Sequence, residues 1–186
     1  MMEKTVQQFT EVLNICGSLF EKKLTDYGAA WRVLRPSSVT DQIYIKINRI
    51  RTLQTVENQM VEESEEEGFI AIVNYAIIGL IQLNKGVATG LDNDSREDIL
   101  QLYHNFAIKA RDLMEKKNHD YGEAWREMRV TSITDLIYQK VLRTKQIEDN
   151  EGKTIVSEGL EANYYDMLNY AVFCLVTVSY THLTLP

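Results

Sequence analysis

Hydrophobic positions along the chain recur at three- and four-residue intervals, and the alternation of a half-buried strand is nearly absent. Val6, Phe9, Val12, Leu13, Cys16, Leu19 and Phe20 make one apolar stripe, which predicts an amphipathic helix. A second stripe with the same spacing runs through Ile99, Leu102, Tyr103, Phe106, Ala110, Leu113 and Met114. Ser95-x-x-Asp98 precedes it as a capping box. Each of these helices is expected to end near a glycine, Gly28 or Gly122, with Trp31 and Trp125 on a short helical turn just beyond.

A second helix is predicted to begin at Ser38-x-x-Asp41, and its counterpart at Ser132-x-x-Asp135. Ile43, Ile47 and Ile50 line the apolar face of one, and Ile137 and Val141 that of the other. Lys46/Arg49 and Lys140/Arg143 fall along the edge of those faces. Apolar runs at Ile70–Leu83 and Tyr164–Val178 predict a third helix in each set. The residues from Ser179 to Pro186 are expected not to continue that helix and are read as a non-native or disordered tail.

The chain is therefore written twice. Asp26-Tyr-Gly-Ala-Ala-Trp-Arg32 returns as Asp120-Tyr-Gly-Glu-Ala-Trp-Arg126, preceded in both copies by Glu-Lys-Lys. Asn74-Tyr75-Ala76 returns as Asn169-Tyr170-Ala171. The expected fold is all-α: two tandem three-helix repeats, 1–90 and 91–178, packed about a pseudo-twofold axis like a fused dimer. Gly86 to Asp94 reads as the linker, and two clefts, each lined by second and third helices, are expected between the repeats.

A net charge of −7 disfavours a general affinity for nucleic acid, while local basic residues still permit an anionic nucleotide. Cys16 and Cys174 lie in apolar runs without metal-like spacing and read as buried free thiols of a reducing compartment. No leader-like segment precedes the first helix, and Asn74 and Gln82 break the longest apolar run. These features predict a cytoplasmic chain with no membrane partner.

Candidate chemistry concentrates in the second repeat. Glu158, Glu161, Asp166 and Asn169 fall on one broad side of the predicted third helix. Such oxygen donors suit Mg2+, which takes few carboxylates and keeps waters and substrate phosphates. Asp166 sits among Tyr165, Met167 and Leu168, so its carboxylate needs a metal or a basic partner. Lys140 and Arg143 suit phosphate charge but equally suit ion pairs with those carboxylates. Asp120 at a helix C-terminus also calls for a partner, either a metal or Arg126. Tyr121 and Trp125 either stack on a base or fill the core, and His119, without a counterpart, reads as surface. Lys46 and Arg49 are the first-repeat counterparts of the basic pair, but Ala71 stands where the second repeat has Asp166. One site centred on the second repeat is the expectation. No nucleophile–base pair, phosphate-cradling glycine loop or zinc motif occurs.

Lys-x-x-Asp-Tyr-Gly with its following Trp, the Lys-x-x-Arg helix and Asp-x-x-Asn-Tyr-Ala resemble the nucleotide modification associated domain family, type 1. That family occurs in bacteria and phages and is linked by genomic context to nucleotide or DNA modification. In layout the chain is also similar to the all-α nucleoside triphosphate pyrophosphatases of the MazG and dimeric dUTPase group. Those enzymes hold Mg2+ with Glu-x-x-Glu on one helix and Glu-x-x-Asp on the next. Glu158-x-x-Glu161 has the spacing of the first motif, but the second motif is missing. The resemblance carries over Lys140, Arg143 and Asp166, then Asp120. It implies a Mg2+-dependent hydrolase of a nucleoside triphosphate or modified nucleotide, with Glu158, Glu161 and Asp166 on the metal. The alternative is a non-catalytic nucleotide-binding or protein-interaction module. The expected partner is a nucleotide or small phosphorylated molecule, and homodimerisation is compatible with either reading.

Overall fold

A computed structural model describes residues 2–56, 58–90 and 94–184, with side chains described as far as Ser179. The chain order is α1 (Met2–Tyr27), a 3-10 turn (Ala30–Val33), α2 (Pro36–Leu53) and α3 (Glu65–Lys85), followed by α4 (Arg96–Tyr121), a second 3-10 turn (Ala124–Glu127), α5 (Val130–Asp149) and α6 (Leu160–Thr184). The described residues contain no strand. Three helices per copy and the all-α class agree with the hydrophobic pattern.

Local signals explain most boundaries. Gly28 and Gly122 follow α1 and α4 with φ of +69° and +64°, a conformation glycine adopts without steric cost. Ser95 caps α4 by accepting from the Asp98 amide. Ser64 and Glu67 form a complete capping box on α3 that the acidic run around them conceals in the sequence.

The second helices begin earlier than the Ser-x-x-Asp motifs predict. Arg35 and Arg129 are the N-caps, both extended and without a side-chain cap bond. Pro36 explains the first: it holds its predecessor extended and supplies a ready-made φ where no N–H is needed. Asp41 and Asp135 therefore lie inside the helices, free for other work. The third helix of the second repeat also differs. It starts at Leu160, so Glu158 precedes it, and it continues through Ser179 to Thr184; residues 185–186 lie outside the described chain.

Those two aspartates mark the pseudo-twofold axis. Lys145 Nζ meets Asp41 Oδ1 at 2.8 Å, and at the equivalent place Arg51 Nε meets Asp135 Oδ1 at 3.2 Å. Lys145 lies over the Tyr44 ring and Arg51 over the Tyr138 ring, and the two rings stack with centroids 6.1 Å apart. Thr40 donates to Glu148 across the interface, while Gln54 donates to Thr134. Every contact in this set has its mirror image, as in an isologous dimer.

α2, α3, α5 and α6 form a central four-helix layer, with α3 and α6 in the most extensive contact. α1 and α4 pair with each other and cross over it, each touching the third helix of both repeats. Ile43, Ile47, Ile50, Ile72, Ile133, Ile137 and Val141 are fully buried in the core. Each such side chain contributes about 1.5–3 kcal/mol of transfer free energy. α3 is long and apolar enough to cross a membrane, yet its apolar residues are spent on this core. Cys16 and Cys174 are buried and unpaired, and burial pushes the Cys16 thiol up to about 12.

Candidate functional site

The repeated Glu-Lys-Lys places a lysine on the last turns of α1 and α4, and Lys-x-x-Arg places another on α2 and α5. The third helix passes between them. In the second repeat Asp166 stands at that point. Lys117 Nζ reaches its Oδ1 at 2.9 Å and Lys140 Nζ its Oδ2 at 2.9 Å. The carboxylate is 10% exposed and Lys140 15%. Burial disfavours the Lys117 charge, but the hydrogen bond and charge of Asp166 outweigh it and raise the pKa.

Asp166 thus has the basic partner its buried setting demands. Lys140 is one of the residues singled out by the sequence. Lys117 is the one missed, although the repeated Glu-Lys-Lys was its signal. Arg143 is exposed and forms no ion pair among the described residues.

The expected metal ligands do not come together. Glu158 lies in the exposed segment before α6, and Glu161 is exposed on its first turn. Asp120 is solvated, its side chain 76% exposed, and its ion-pair partner among the described residues is the likewise exposed His119. Among the described residues no group of three or more His, Cys, Asp or Glu is placed to hold a metal ion. With both Asp166 oxygens held by ammonium groups, this donor set does not fit Mg2+.

The repeated aromatic motif is structural in the second repeat. Trp125 stacks on Phe173 at 4.2 Å and 9°, and the Arg126 guanidinium lies over the indole at 4.4 Å. Arg126 also binds Glu123 at 3.0 Å, Thr5 at 2.8 Å and Gln8 at 2.6 Å, tying the 3-10 turn to α1. Arg32 does the same work in the first repeat through Asp94 at 2.8 Å, Gly86 O at 2.8 Å and Gln82. Lys85 and Arg32 together hold the Asp94 carboxyl below its usual range. Tyr121 is 78% exposed, and Asn169 donates to Ala110 O at 3.2 Å. Neither Trp125 nor Arg126 is free for a substrate.

An open cavity lies in the first repeat, lined by residues of that repeat. It measures about 620 Å3 and is enclosed by α1, the first 3-10 turn, α2 and α3. Phe20, Tyr27, Trp31 and Tyr75 supply aromatic wall, and Lys23, Lys46, Glu63 and Glu67 the charge. Lys46 and Arg49, both candidates from the sequence, converge on Glu63 at 2.8 and 3.2 Å. Lys23 makes no ion pair among the described residues. Two positions on its wall carry smaller side chains than their counterparts: Ala71 stands where the second repeat has Asp166, and Ile78 where it has the Phe173 that stacks on Trp125. Trp31 keeps a face on the cavity.

A family model described as nucleotide modification associated domain 1 matches residues 23–83 and 117–178. The chain belongs to that family. The two segments together cover about two thirds of it, one per repeat, which fits a tandem duplication. The first contains every cavity-lining residue except Leu19 and Phe20, and the second contains Lys117, Lys140 and Asp166. No curated protein and no solved structure matches the chain.

Proposed function

We propose that the chain binds a nucleotide, or a small phosphorylated molecule with a flat ring, in the first-repeat cavity and does not hydrolyse it by a metal-dependent route. The cavity carries this reading. Its volume of about 620 Å3 falls in the range of small-molecule sites, roughly 300–1,000 Å3, and its walls combine apolar rings with a few charged groups. Trp31 and Tyr75 offer π-faces to a base, and Lys23 and Lys46 offer ammonium groups to phosphate. The family description, which refers to nucleotide modification, supports the same ligand class.

Binding is preferred to Mg2+-dependent hydrolysis because the carboxylates required are dispersed or paired with lysine. The cytoplasm is the compartment in which such a ligand is met. A thermal-shift panel of common nucleotides and deoxynucleotides, run beside a pyrophosphate-release assay with Mg2+ or Mn2+, tests the reading. The expected result is a rise in Tm with at least one nucleotide and no turnover. Metal-dependent release of pyrophosphate, or no nucleotide raising Tm, refutes it.

A further inference from the structure

We propose that Lys23 and Lys46 form a phosphoanion subsite in the first-repeat cavity, at the place that the second repeat fills with its own Asp166 carboxylate. The inference rests on the ligand-binding reading above and names the end of the ligand that the lysines take. Its basis is the comparison of two copies of one structure. Lys23 and Lys117 are equivalent positions, as are Lys46 and Lys140. In the second copy the two ammonium groups converge on one carboxylate, each at 2.9 Å. The backbone that places them is therefore shaped to grip an oxyanion between α4 and α5.

In the first copy the carboxylate is gone, because Ala71 has no charged group, and both lysines line an open cavity. Glu63 already holds Lys46, but Arg49 shares that carboxylate at 3.2 Å, and Lys23 has no ion pair among the described residues. Glu67 spends a carboxylate oxygen on the Ser64 amide at 3.1 Å. The cavity wall carries two lysines and two glutamates, but Arg49, outside the wall, draws on Glu63 as well, so Lys23 is left without a carboxylate of its own among the described residues. A phosphoryl group supplies the missing oxyanion, and aromatic side chains line the same cavity. Asp166 then acts in the second repeat as a built-in competitor, so one chain offers one anion site.

The test uses inorganic pyrophosphate as the probe on the full chain, by isothermal titration. Ala71→Asp places a carboxylate between Lys23 and Lys46, and Ala71→Asn adds the same bulk without the charge. The expected result is saturable pyrophosphate binding to the wild type, retained within about threefold by Ala71→Asn and weakened at least tenfold by Ala71→Asp. Asp166→Ala is expected to gain a second anion site, seen as a larger Tm rise with pyrophosphate than in the wild type. Should that variant fail to fold, the Ala71 pair decides alone. Equal affinity in Ala71→Asp and Ala71→Asn, or no pyrophosphate binding to the wild type, overturns the subsite. Failure of the broader reading looks different: pyrophosphate binds as described, but nucleotides bind no more tightly than it does.

Discussion

Tyr103 donates its hydroxyl to Asn74 Oδ1 at 2.6 Å across the junction between the repeats, and the mirrored position lacks that bond. Both asparagines donate to the first helix of their own repeat, Asn74 to Cys16 O and Asn169 to Ala110 O. Phe9 stands where symmetry calls for a second tyrosine, and Asn169 Oδ1 is left buried without a partner. Tyr103→Phe is expected to reproduce that defect at Asn74. A buried acceptor losing its donor costs about 1–3 kcal/mol, and urea denaturation checks it. No change would mean the hydroxyl contributes nothing net.

Gly79 lets α3 lie close against Tyr164 of α6. A Cβ there would lie 2.6 Å from Tyr164 Cε1. The Tyr164 ring cannot easily yield, because its hydroxyl is held by Thr40 at 2.6 Å and Pro36 O at 3.0 Å. Gly79→Ala is therefore expected to destabilise the chain by about 1–3 kcal/mol despite the better helix propensity of alanine. Calorimetry showing an unchanged or higher Tm would contradict the packing.

Glu148 and Gln54 are equivalent residues facing equivalent threonines, but only one is ionisable. Burial, assisted by Asp41 and Asp149, raises the Glu148 pKa, with the Thr40 hydrogen bond opposing. The fold thus favours the protonated acid. That contribution is fully present below the ordinary glutamate value and is lost as pH rises through the raised one. Glu148→Gln escapes the loss. Because the site is half-buried and partly screened, the variant should exceed the wild type by only about 1–2 °C in Tm at pH 7. The gain should vanish near pH 4, and a gain independent of pH would contradict this account.

Removing the charge of Asp166 strands Lys140 with little access to water. Breaking a buried pair from one side costs about 3–5 kcal/mol, and Asp166→Asn is expected near the lower end because Lys117 is half-exposed. A loss below about 1 kcal/mol in chemical denaturation would mean that the lysines do not depend on this carboxylate.

The helices and their duplication were legible because they rest on local signals: periodic apolar residues, Gly28 and Gly122 beyond α1 and α4, and the doubled aromatic motif. What failed was set by tertiary contacts. Asp41 and Asp135 look like caps in sequence, but the pseudo-twofold axis claims them for Lys145 and Arg51. Asp166 was recognised as needing a partner, and Lys140 as a candidate. The choice between lysine and metal depended on Lys117, which lies on another helix. The cavity was the least visible feature. Ala71 reads in the sequence as a lost ligand, whereas in the structure it lines the cavity at the position where the second repeat has its lysine-paired Asp166.

The claim that one chain has one ligand site, in its first repeat, can be read from a single side chain. The chain has two tryptophans, and only Trp31 lines the cavity. In a Trp125→Phe background, titration with the nucleotide that most raises Tm should quench Trp31 emission saturably, with one equivalent bound per chain. Nucleotide bound with Trp31 emission unchanged, or two equivalents per chain, would contradict it.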